Sequence, residues 1–491
     1  MGELSESGGS DSGSRKYLQF IGTGITLGLV SFVGYKLWNV VRKTQRAVDS
    51  LVRKSTLTES DSDKIKSAAV PVYVMCDLDV TAVPISKLRR QFRALKRAGV
   101  TGVMMDFWWS KVETEPGVYN WSIYEPVLQL AQQFELKVQA VMSFHVCGEC
   151  DGDGVFVPLP EFVTNLARDQ PDILFNDEFG STSAECLSFG VDHERIFPSA
   201  SGSTASRTAI EMYQEFMTSF KLHFSALMPH VIEEIQVGLG PSGELRYPSY
   251  SLSKWTFPGI GALQCYDIYL EDELRSVTGS PPPRNVVRSY NDFPDNTLFF
   301  AQDNGTIFTA EGKKFFMAYF ERMYRHGEDM LSMASKVFSG SGVKLSGKIS
   351  GIHWFRKHPS RASEAIAGYY CSEEFNAYGK LAELFKKYNT VFLFTCMEKK
   401  DSGEGEEAMA SPELLVKETS EFVAATQCDY GGENALEFKD ADSYQMILDQ
   451  VDACQSRGAA FKSFTLLRLD DNLISWSHYP IFNRFVQEMS K

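Results

Sequence analysis

The stretch LKVQAVMSF, residues 136–144, is a nearly continuous apolar run that stops at the polar residue His145. Runs of this kind are typical of strands buried on both faces, as in a parallel sheet covered by helices. Seven other runs resemble it: PVYVMCDL (71–78), TGVMMDF (101–107), IEEIQVGL (232–239), GKISGIHW (347–354), TVFLFTC (390–396), a weaker one at 427–433, and FKSFTLLRL (461–469). Eight such strands predict a closed barrel.

Amphipathic helical stretches separate the runs. After the first run, Ser86 is placed to cap a helix that buries Leu88, Phe92 and Leu95 on one face and ends at Gly99. This alternation predicts the α/β class and a (β/α)₈ TIM barrel. The connections after the third and fourth runs extend over roughly 85 and 105 residues, a length that is usually functional. We expect them to form a small lobe over the C-terminal face.

The first 69 residues differ from the rest in composition. Residues 1–16 are acidic and rich in Gly and Ser, which predicts disorder. The uncharged run at 17–35 is long enough to cross a bilayer, so residues 17–38 are predicted to form a transmembrane anchor helix. A buried amphipathic or surface helix is the alternative. Residues 39–69 read as a basic and polar linker, and residues 70–491 as the globular domain.

The charges that flank the apolar run are asymmetric. Arg15 and Lys16 precede it, and the residues that follow include Lys36, Arg42, Lys43, Arg46, Arg53 and Lys54. Positive charge stays on the cytosolic side, so we expect a single-pass protein of an organelle envelope or the endoplasmic reticulum whose large domain faces the cytosol. Gly24 and Gly28 form a small-xxx-small pair that favours weak self-association.

Composition also restricts the partners. The formal net charge is −14, and no basic patch offsets it, which argues against nucleic acid. The nine cysteines are scattered, as is typical of thiols in a reducing compartment. Cys147 and Cys150 form a C-x-x-C, but zinc needs a second pair, so no metal site is predicted. A redox-sensitive pair and two unlinked thiols remain the alternatives.

Side chains that can carry chemistry follow the predicted strands. They are Asp106 with Trp108 and Trp109, His145, Glu244, His353 with Trp354 and Lys357, Thr395, Glu433, and Arg468. The C-terminal ends of barrel strands converge on one mouth, where barrel enzymes keep their active sites. Paired carboxylates beside aromatic and hydrogen-bonding groups suit glycoside cleavage, because one carboxyl protonates the leaving oxygen and the other activates water or attacks directly.

Each of these residues also has a structural alternative. Asp106 can cap a helix, His145 can be a core histidine, and the two tryptophans can belong to the core. Arg468 can form an ion pair with Asp470 or Asp471. Taken one at a time, these residues do not favour catalysis, and only their convergence does.

The motif GPSGELRYPSY (240–250) resembles the β-amylases of plants and some bacteria. The resemblance continues, in that family's order and spacing, over residues 70–490. It is carried by PVYVM (71–75), GVMMDFWW (102–109), QAVMSFHVCG (139–148), FPGIGALQCYD (257–267), SGIHWF (350–355), AGYY (367–370), FTCMEKKD (394–401), GGENAL (431–436) and LLRLDDNL (466–473).

The resemblance implies hydrolysis of α-1,4-glucans such as starch from their non-reducing ends, releasing maltose with inversion and without cofactor or metal. It places the general acid on Glu244, the general base on Glu433 and a supporting threonine of a mobile inner loop on Thr395. Its sugar-binding residues fall on Asp106, His145, Asp153, Lys357, Asn434 and Arg468. Inversion implies carboxyl groups roughly 6.5–9.5 Å apart. Glu244 is expected to have a raised pKa.

The sequence departs from the family at several positions. The lid at 148–153 reads GECDGD instead of GGNVGD, and Glu437 replaces a proline. The second hypothesis is therefore a catalytically weak or inactive, membrane-anchored glucan-binding regulator. Retention of both glutamates, of Thr395 and of Asp153 favours the active enzyme.

Overall fold

The computed structural model describes residues 68–148, 154–200, 204–438 and 440–491. The predicted disordered terminus, the anchor at 17–38 and nearly all of the linker lie outside these ranges, as do Cys150 and Asp153 of the lid. Within the described ranges, no helix combines the length and apolarity needed to cross a membrane.

Eight parallel strands close into a barrel, which confirms the predicted fold class. Each strand pairs with the next one along the chain, and the last pairs with the first. The strands are β1 (Val72–Met75), β2 (Gly102–Trp108), β3 (Lys137–Ser143), β4 (Ile232–Val237), β5 (Lys344–Ile349), β6 (Thr390–Phe394), β7 (Asp429–Glu433) and β8 (Ala460–Leu466).

Strand β7 has little apolar content because neighbouring segments leave no room for side chains at Gly431 and Gly432. A Cβ atom at Gly431 would lie 2.5 Å from Leu393 Cδ2 of β6, and one at Gly432 would lie 2.9 Å from Met397 Cγ. Both distances are shorter than any normal contact, so the close approach requires glycine. The weak seventh run is therefore a true strand.

Strand β5 lies three to five residues earlier than predicted. The apolar signal at 347–354 came partly from Ile352 and Trp354, which are buried in the loop after the strand. The Trp354 ring packs against Tyr250 at 5.3 Å and against Trp255 at 5.3 Å. Residues buried by loop packing thus gave the same apolar pattern as a buried strand. Residues 350–354 belong to the barrel mouth.

Eight helices surround the barrel: α1 (Ile85–Ala98), α2 (Glu125–Gln133), α3 (Ala209–Phe224), α4 (Ala310–Val337), α5 (Ala377–Lys387), α6 (Pro412–Thr426), α7 (Ala441–Ser456) and α8 (Tyr479–Met489). The predicted cap at Ser86 is wrong, because α1 begins after Pro84 without a side-chain cap. Its predicted end is confirmed, since Gly99 adopts φ 85° and accommodates a left-handed turn.

The long connections at 144–231 and 238–343 carry short elements of their own. These are helices Glu161–Asp169 and Ile268–Thr278, and the antiparallel pairs Leu174–Asn176 with Thr182–Leu187 and Phe197–Pro198 with Ser206–Arg207. The Tyr290 hydroxyl donates to Asp177 at 2.7 Å, which joins the two connections. Shorter loops hold helices Trp109–Val112 and Ala362–Ile366 and the pair Glu113–Glu115 with Val118–Tyr119.

A buried ion network fastens the loop after β5 to helix α5. Arg356 and Arg361 both contact the Glu364 carboxylate, at 2.5 Å and 2.6 Å, and the Tyr378 hydroxyl donates to it at 2.9 Å. Burial opposes the charge of Glu364, but the two guanidinium groups outweigh this effect and lower its pKa. Removing Glu364 would leave two cations without their shared partner.

We expect Glu364→Ala to lower the free energy of unfolding by about 3–5 kcal/mol, because breaking a buried pair leaves uncompensated charge. Urea denaturation followed by circular dichroism measures this loss. Glu383→Ala, which removes an exposed partner of Lys380, should change the value by less than about 1 kcal/mol. Equal midpoints for the two variants would show that the network does not stabilise the fold.

Candidate active site

Glu244 is presented by a tight turn after β4. The turn uses backbone conformations that favour glycine, with φ 75° at Gly243, and a Cβ at Gly240 would lie 2.6 Å from the Glu244 carbonyl oxygen. The amide of Leu245 then donates to the Lys348 carbonyl at 2.9 Å. Glu244 is therefore fixed at the barrel mouth, beside the end of β5.

One oxygen of Glu244 is held by an arginine. Arg246 Nε donates to Glu244 Oε2 at 2.6 Å, and both side chains are buried. The Arg246 guanidinium lies 4.3 Å from the centre of the Tyr250 ring, and the Tyr250 hydroxyl lies 3.1 Å from Ser350 Oγ. These contacts fix the orientation of the carboxylate.

Glu433 is the last residue of β7 and is 1% exposed. Its Oε2 lies 2.9 Å from Lys348 Nζ, whereas its Oε1 is buried with no hydrogen-bond partner among the described residues. A buried oxygen of this kind is costly unless a function uses it. Among the described residues, no hydrogen bond or ion pair joins Glu433 to Glu244.

Lys348 of β5 contacts Glu433 and interacts electrostatically with Glu244, and the sequence analysis missed it. Burial opposes its charge, but Glu433, Glu244 and Asp106 outweigh this effect and raise the pKa of the ammonium group. A signal was present in the sequence, because a lysine inside an apolar strand is almost never buried without a partner. Its partners lie on other strands, so the sequence did not show which residues they are.

Asp106 lies within β2, two residues before the end of the strand rather than at its end. Its Oδ1 accepts a hydrogen bond from Ser143 Oγ at 2.7 Å, and its Oδ2 is buried with no partner in the described structure. Burial raises the pKa of Asp106, although Ser143, Lys348 and Arg468 oppose this effect. The structure therefore does not support the helix-cap alternative.

His145 follows β3 and is buried against Trp108, with ring centres 5.1 Å apart. Burial, followed by the charges of Lys348 and Arg246, lowers the pKa of His145 to about 3. The imidazole is therefore neutral at physiological pH.

Thr395 follows β6, in a loop that is fastened on two sides. Its Oγ1 accepts a hydrogen bond from the Gly351 amide at 2.8 Å. Three residues later, the buried carboxylate of Glu398 accepts hydrogen bonds from the amides of Ala435 and Leu436 at 3.0 Å. The loop is thereby tied both to the end of β5 and to the turn after Glu433.

Asn434 uses its side chain to hold the backbone. Its Nδ2 donates to the carbonyls of Leu436 and Leu467 at 2.9 Å, and its Oδ1 accepts from the Leu467 amide at 2.9 Å. Both amide hydrogens are thus already used. The contacts favour a positioning role for the side chain, and sugar binding by Asn434 stays a prediction.

Arg468 follows β8, with Nε 3.5 Å from Glu437 Oε1. Asp471, one of its predicted partners, pairs instead with Lys87 and Arg90 of α1, at 3.5 Å and 3.2 Å. The residue that stands in place of the family's proline, Glu437, therefore meets a predicted sugar-binding arginine.

Lys357 lies apart from this cluster. Lys357 is exposed, and its ammonium group faces Asp401 at 4.0 Å, with no contact to Glu244 or Glu433 among the described residues. Asp153 lies outside those residues. Trp108 and Trp109 are core residues, and their indole N–H groups donate to the Leu78 carbonyl and to Glu113, each at 2.6 Å.

Within the described ranges, no group of three or more His, Cys, Asp or Glu side chains is arranged to hold a metal ion. The mouth thus combines two buried glutamates, a buried lysine that pairs with one of them, a third buried carboxylate and a neutral histidine. This arrangement can donate a proton, accept a proton and bind hydroxyl groups.

The sequence profile of glycosyl hydrolase family 14 matches residues 73–491. The chain belongs to glycosyl hydrolase family 14. It is 40% identical to a β-amylase of Medicago sativa over 438 residues, which cover 86% of this chain and 87% of that protein. It is 38% identical to β-amylase 5 of Arabidopsis thaliana over 448 residues, 87% of this chain and 88% of the relative.

A solved structure agrees with this assignment. The catalytic domain of β-amylase from Paenibacillus polymyxa superimposes with a TM-score of 0.71 and 26% identity, covering 87% of this chain and 99% of that domain. This family 14 hydrolase is therefore a glycosidase of the β-amylase type.

The buried histidine of the family 14 hydrolase makes its stability depend on pH. Because the folded-state pKa of His145 is about 3 and an unfolded histidine titrates near 6.5, the unfolded chain binds more protons between these values. Stability must then fall as the pH drops through this window. We expect His145→Gln to remove a slope of about 1.4 kcal/mol per pH unit between pH ~6 and ~4, measured from urea midpoints.

The matched control is the exposed His230. His230→Gln should keep the wild-type slope. If His145→Gln keeps it as well, His145 is not held neutral by the fold.

Proposed function

We propose that this family 14 hydrolase cleaves α-1,4-glucosidic bonds of starch-type polysaccharides from their non-reducing ends and releases maltose with inversion. The observation that carries the proposal is the pair of buried glutamates, Glu244 and Glu433, of which the first pairs with Arg246 and the second with Lys348. The relatives named as β-amylases support the same substrate class.

Glu244 acts as the general acid. Because Arg246 already occupies Oε2, the proton must reside on Oε1. From there it passes to the glycosidic oxygen as the bond from that oxygen to the anomeric carbon breaks. Arg246 thus selects which oxygen of Glu244 does the chemistry.

Glu433 acts as the general base. The Lys348 ammonium pairs with Oε2 at 2.9 Å, and Oε1 has no protein partner among the described residues. Oε1 then accepts a proton from water while the water oxygen bonds to the anomeric carbon on the face opposite the leaving group. A gap of roughly 6.5–9.5 Å between the two carboxyl groups is required to admit this water.

The remaining residues bind the sugar. Neutral His145 and the partnerless Oδ2 of Asp106 suit hydrogen bonds to hydroxyl groups, and we assign Asp153, Lys357, Asn434 and Arg468 to the same task. Thr395 supports the bond-breaking step from its fastened loop. No cofactor enters the proposed reaction.

We expect Glu244→Gln and Glu433→Gln each to reduce kcat by at least about 10³-fold, because each amide removes one proton-transfer step at unchanged size. The rate of maltose release from soluble starch measures the loss, and a proton NMR time course reads the anomer formed first. Glu383→Gln on the exposed face of α5 is the control and should retain wild-type activity.

Two outcomes would contradict the proposal. A wild-type protein that binds maltooligosaccharide but releases no maltose would establish the glucan-binding regulator instead. If the α-anomer formed first, it would show retention, and Glu433 would not act through water.

We also propose that residues 17–38 anchor the enzyme in a membrane as a single-pass helix, with the catalytic domain in the cytosol and weak self-association through Gly24 and Gly28. The uncharged apolar run and the excess of basic residues after it support this placement.

Deletion of residues 17–38 should move the protein from the membrane pellet to the supernatant during alkaline carbonate extraction, because the hydrophobic attachment is lost. Deletion of residues 1–16 should leave it in the pellet. Extraction of the full-length protein as easily as the 17–38 deletion would remove the anchor from the proposal.

A further inference from the structure

Trp476 differs from every other tryptophan in the described part of the chain. Its side chain is 91% exposed, and it makes neither a hydrogen bond nor a ring contact there. The other five indole N–H groups all donate hydrogen bonds: those of Trp108, Trp109, Trp121, Trp255 and Trp354. An indole that is exposed to this extent offers a large apolar ring and a free N–H group to a ligand.

The loop that carries Trp476 leaves the mouth end of β8 and is held in place at its start. Asp471 pairs with Lys87 and Arg90 of α1 at 3.5 Å and 3.2 Å. The carboxylate of Asp470 accepts a hydrogen bond from the Leu473 amide at 2.5 Å. This part of the loop is therefore tied to the barrel wall.

The other side of the loop is equally constrained. His478 lies between the Tyr444 hydroxyl at 3.1 Å and Asn472 Nδ2 at 3.2 Å, and its amide donates to Ser475 Oγ at 3.3 Å. The hydroxyls of Ser475 and Ser477 lie 3.1 Å apart. Trp476 thus projects from a preorganised turn, which lowers the entropic cost of binding through its ring.

A cleft lies at the foot of this loop and includes Arg468, which is assigned to sugar binding. Its polar lining residues are Glu437, Arg468, Asp470, Asn472 and His478, and the rest of its lining is aliphatic or aromatic. A pyranose ring presents hydroxyl groups at its edge and C–H groups on its faces. The exposed indole plane suits the C–H faces, and the polar groups of the neighbouring cleft suit the hydroxyl groups.

We propose that Trp476 and this cleft form a surface subsite for the part of an α-glucan chain that extends beyond the barrel mouth. The inference rests on the proposed function, because it requires the glucan's end to be bound at Glu244 and Glu433. The indole stacks on a sugar ring of the outgoing chain and holds a long polymer near the mouth.

The surroundings favour a glucan over a lipid surface or a protein. Glu437 pairs with Arg468, and Asp471 pairs with Lys87 and Arg90, so these carboxylates balance the nearby cations and leave no excess of positive charge to attract an anionic membrane. Trp476 stands among serines rather than within a contiguous apolar patch of the kind that marks protein interfaces.

Binding is tested with full-length protein carrying Glu244→Gln, so that the glucan is not digested. The probe is insoluble starch granules, and the readout is the fraction that sediments with them. We expect Trp476→Ala to weaken retention about five- to tenfold, from the range for an aromatic stacking contact. Trp476→Tyr should restore most of it. Leu222→Ala, at an exposed apolar residue of α3, should bind like the parent.

The kinetic test uses the intact catalytic pair. Trp476→Ala should hydrolyse maltopentaose at a rate within about twofold of wild type, because a short chain does not reach the subsite. Its rate on starch granules should fall in proportion to the lost retention.

Three results would overturn the subsite. In the first, Trp476→Ala sediments with starch granules to the same extent as Leu222→Ala. In the second, Trp476→Ala loses the same proportion of its rate on maltopentaose as on granules. In the third, Trp476→Ala loses binding to phosphatidylserine vesicles while its binding to granules is unchanged. Failure of the proposed function looks different, because the wild type would then release no maltose although granule retention still depended on Trp476. In that case the subsite stands and the hydrolysis does not.

Discussion

The buried ammonium group of Lys348 is the cation on which the carboxylates at the barrel mouth depend. Lys348 faces Glu433, Glu244 and Asp106, which come from three different parts of the chain, and all four side chains are withdrawn from water. Buried carboxylates repel one another and are expensive to desolvate, so they need a shared cation. The position of each carboxylate therefore depends on the closure of the barrel around Lys348.

The same principle recurs outward from this centre. Arg246 holds Glu244, and Arg356 with Arg361 holds Glu364 behind the loop after β5. The turns between these charges are held by polar side chains that bond to the backbone, as Asn434 does to Leu467. These ion pairs and hydrogen bonds fix the polar side chains of the mouth in place, which is what electrostatic preorganisation requires.

The rim of the barrel mouth, which includes Glu437 and Trp476, is exposed to solvent, whereas the central carboxylates are buried. The central carboxylates match the family motifs, whereas Glu437 stands where the family has proline and contacts Arg468 from an exposed position. Trp476 extends into solvent from the neighbouring loop. In the proposed function, contacts with a long polymer beyond the mouth would fall to such exposed residues, whereas the reaction would stay with the buried carboxylates.

The sequence alone determined the eight alternating strands and helices, because hydrophobic periodicity is a local property that reports burial. It misplaced β5, since Ile352 and Trp354 are buried by loop packing rather than in the strand. It predicted β7 only weakly, because Leu393 and Met397 of neighbouring segments leave space only for glycine at positions 431 and 432. It also placed Glu244 after the fourth strand and Glu433 at the end of the seventh. Only the tertiary structure decided that Lys348 joins them, that Lys357 stays exposed and that the Asn434 side chain binds backbone. The pair of Lys348 and Glu433 joins residues far apart in the chain, and it exists only once the barrel has closed.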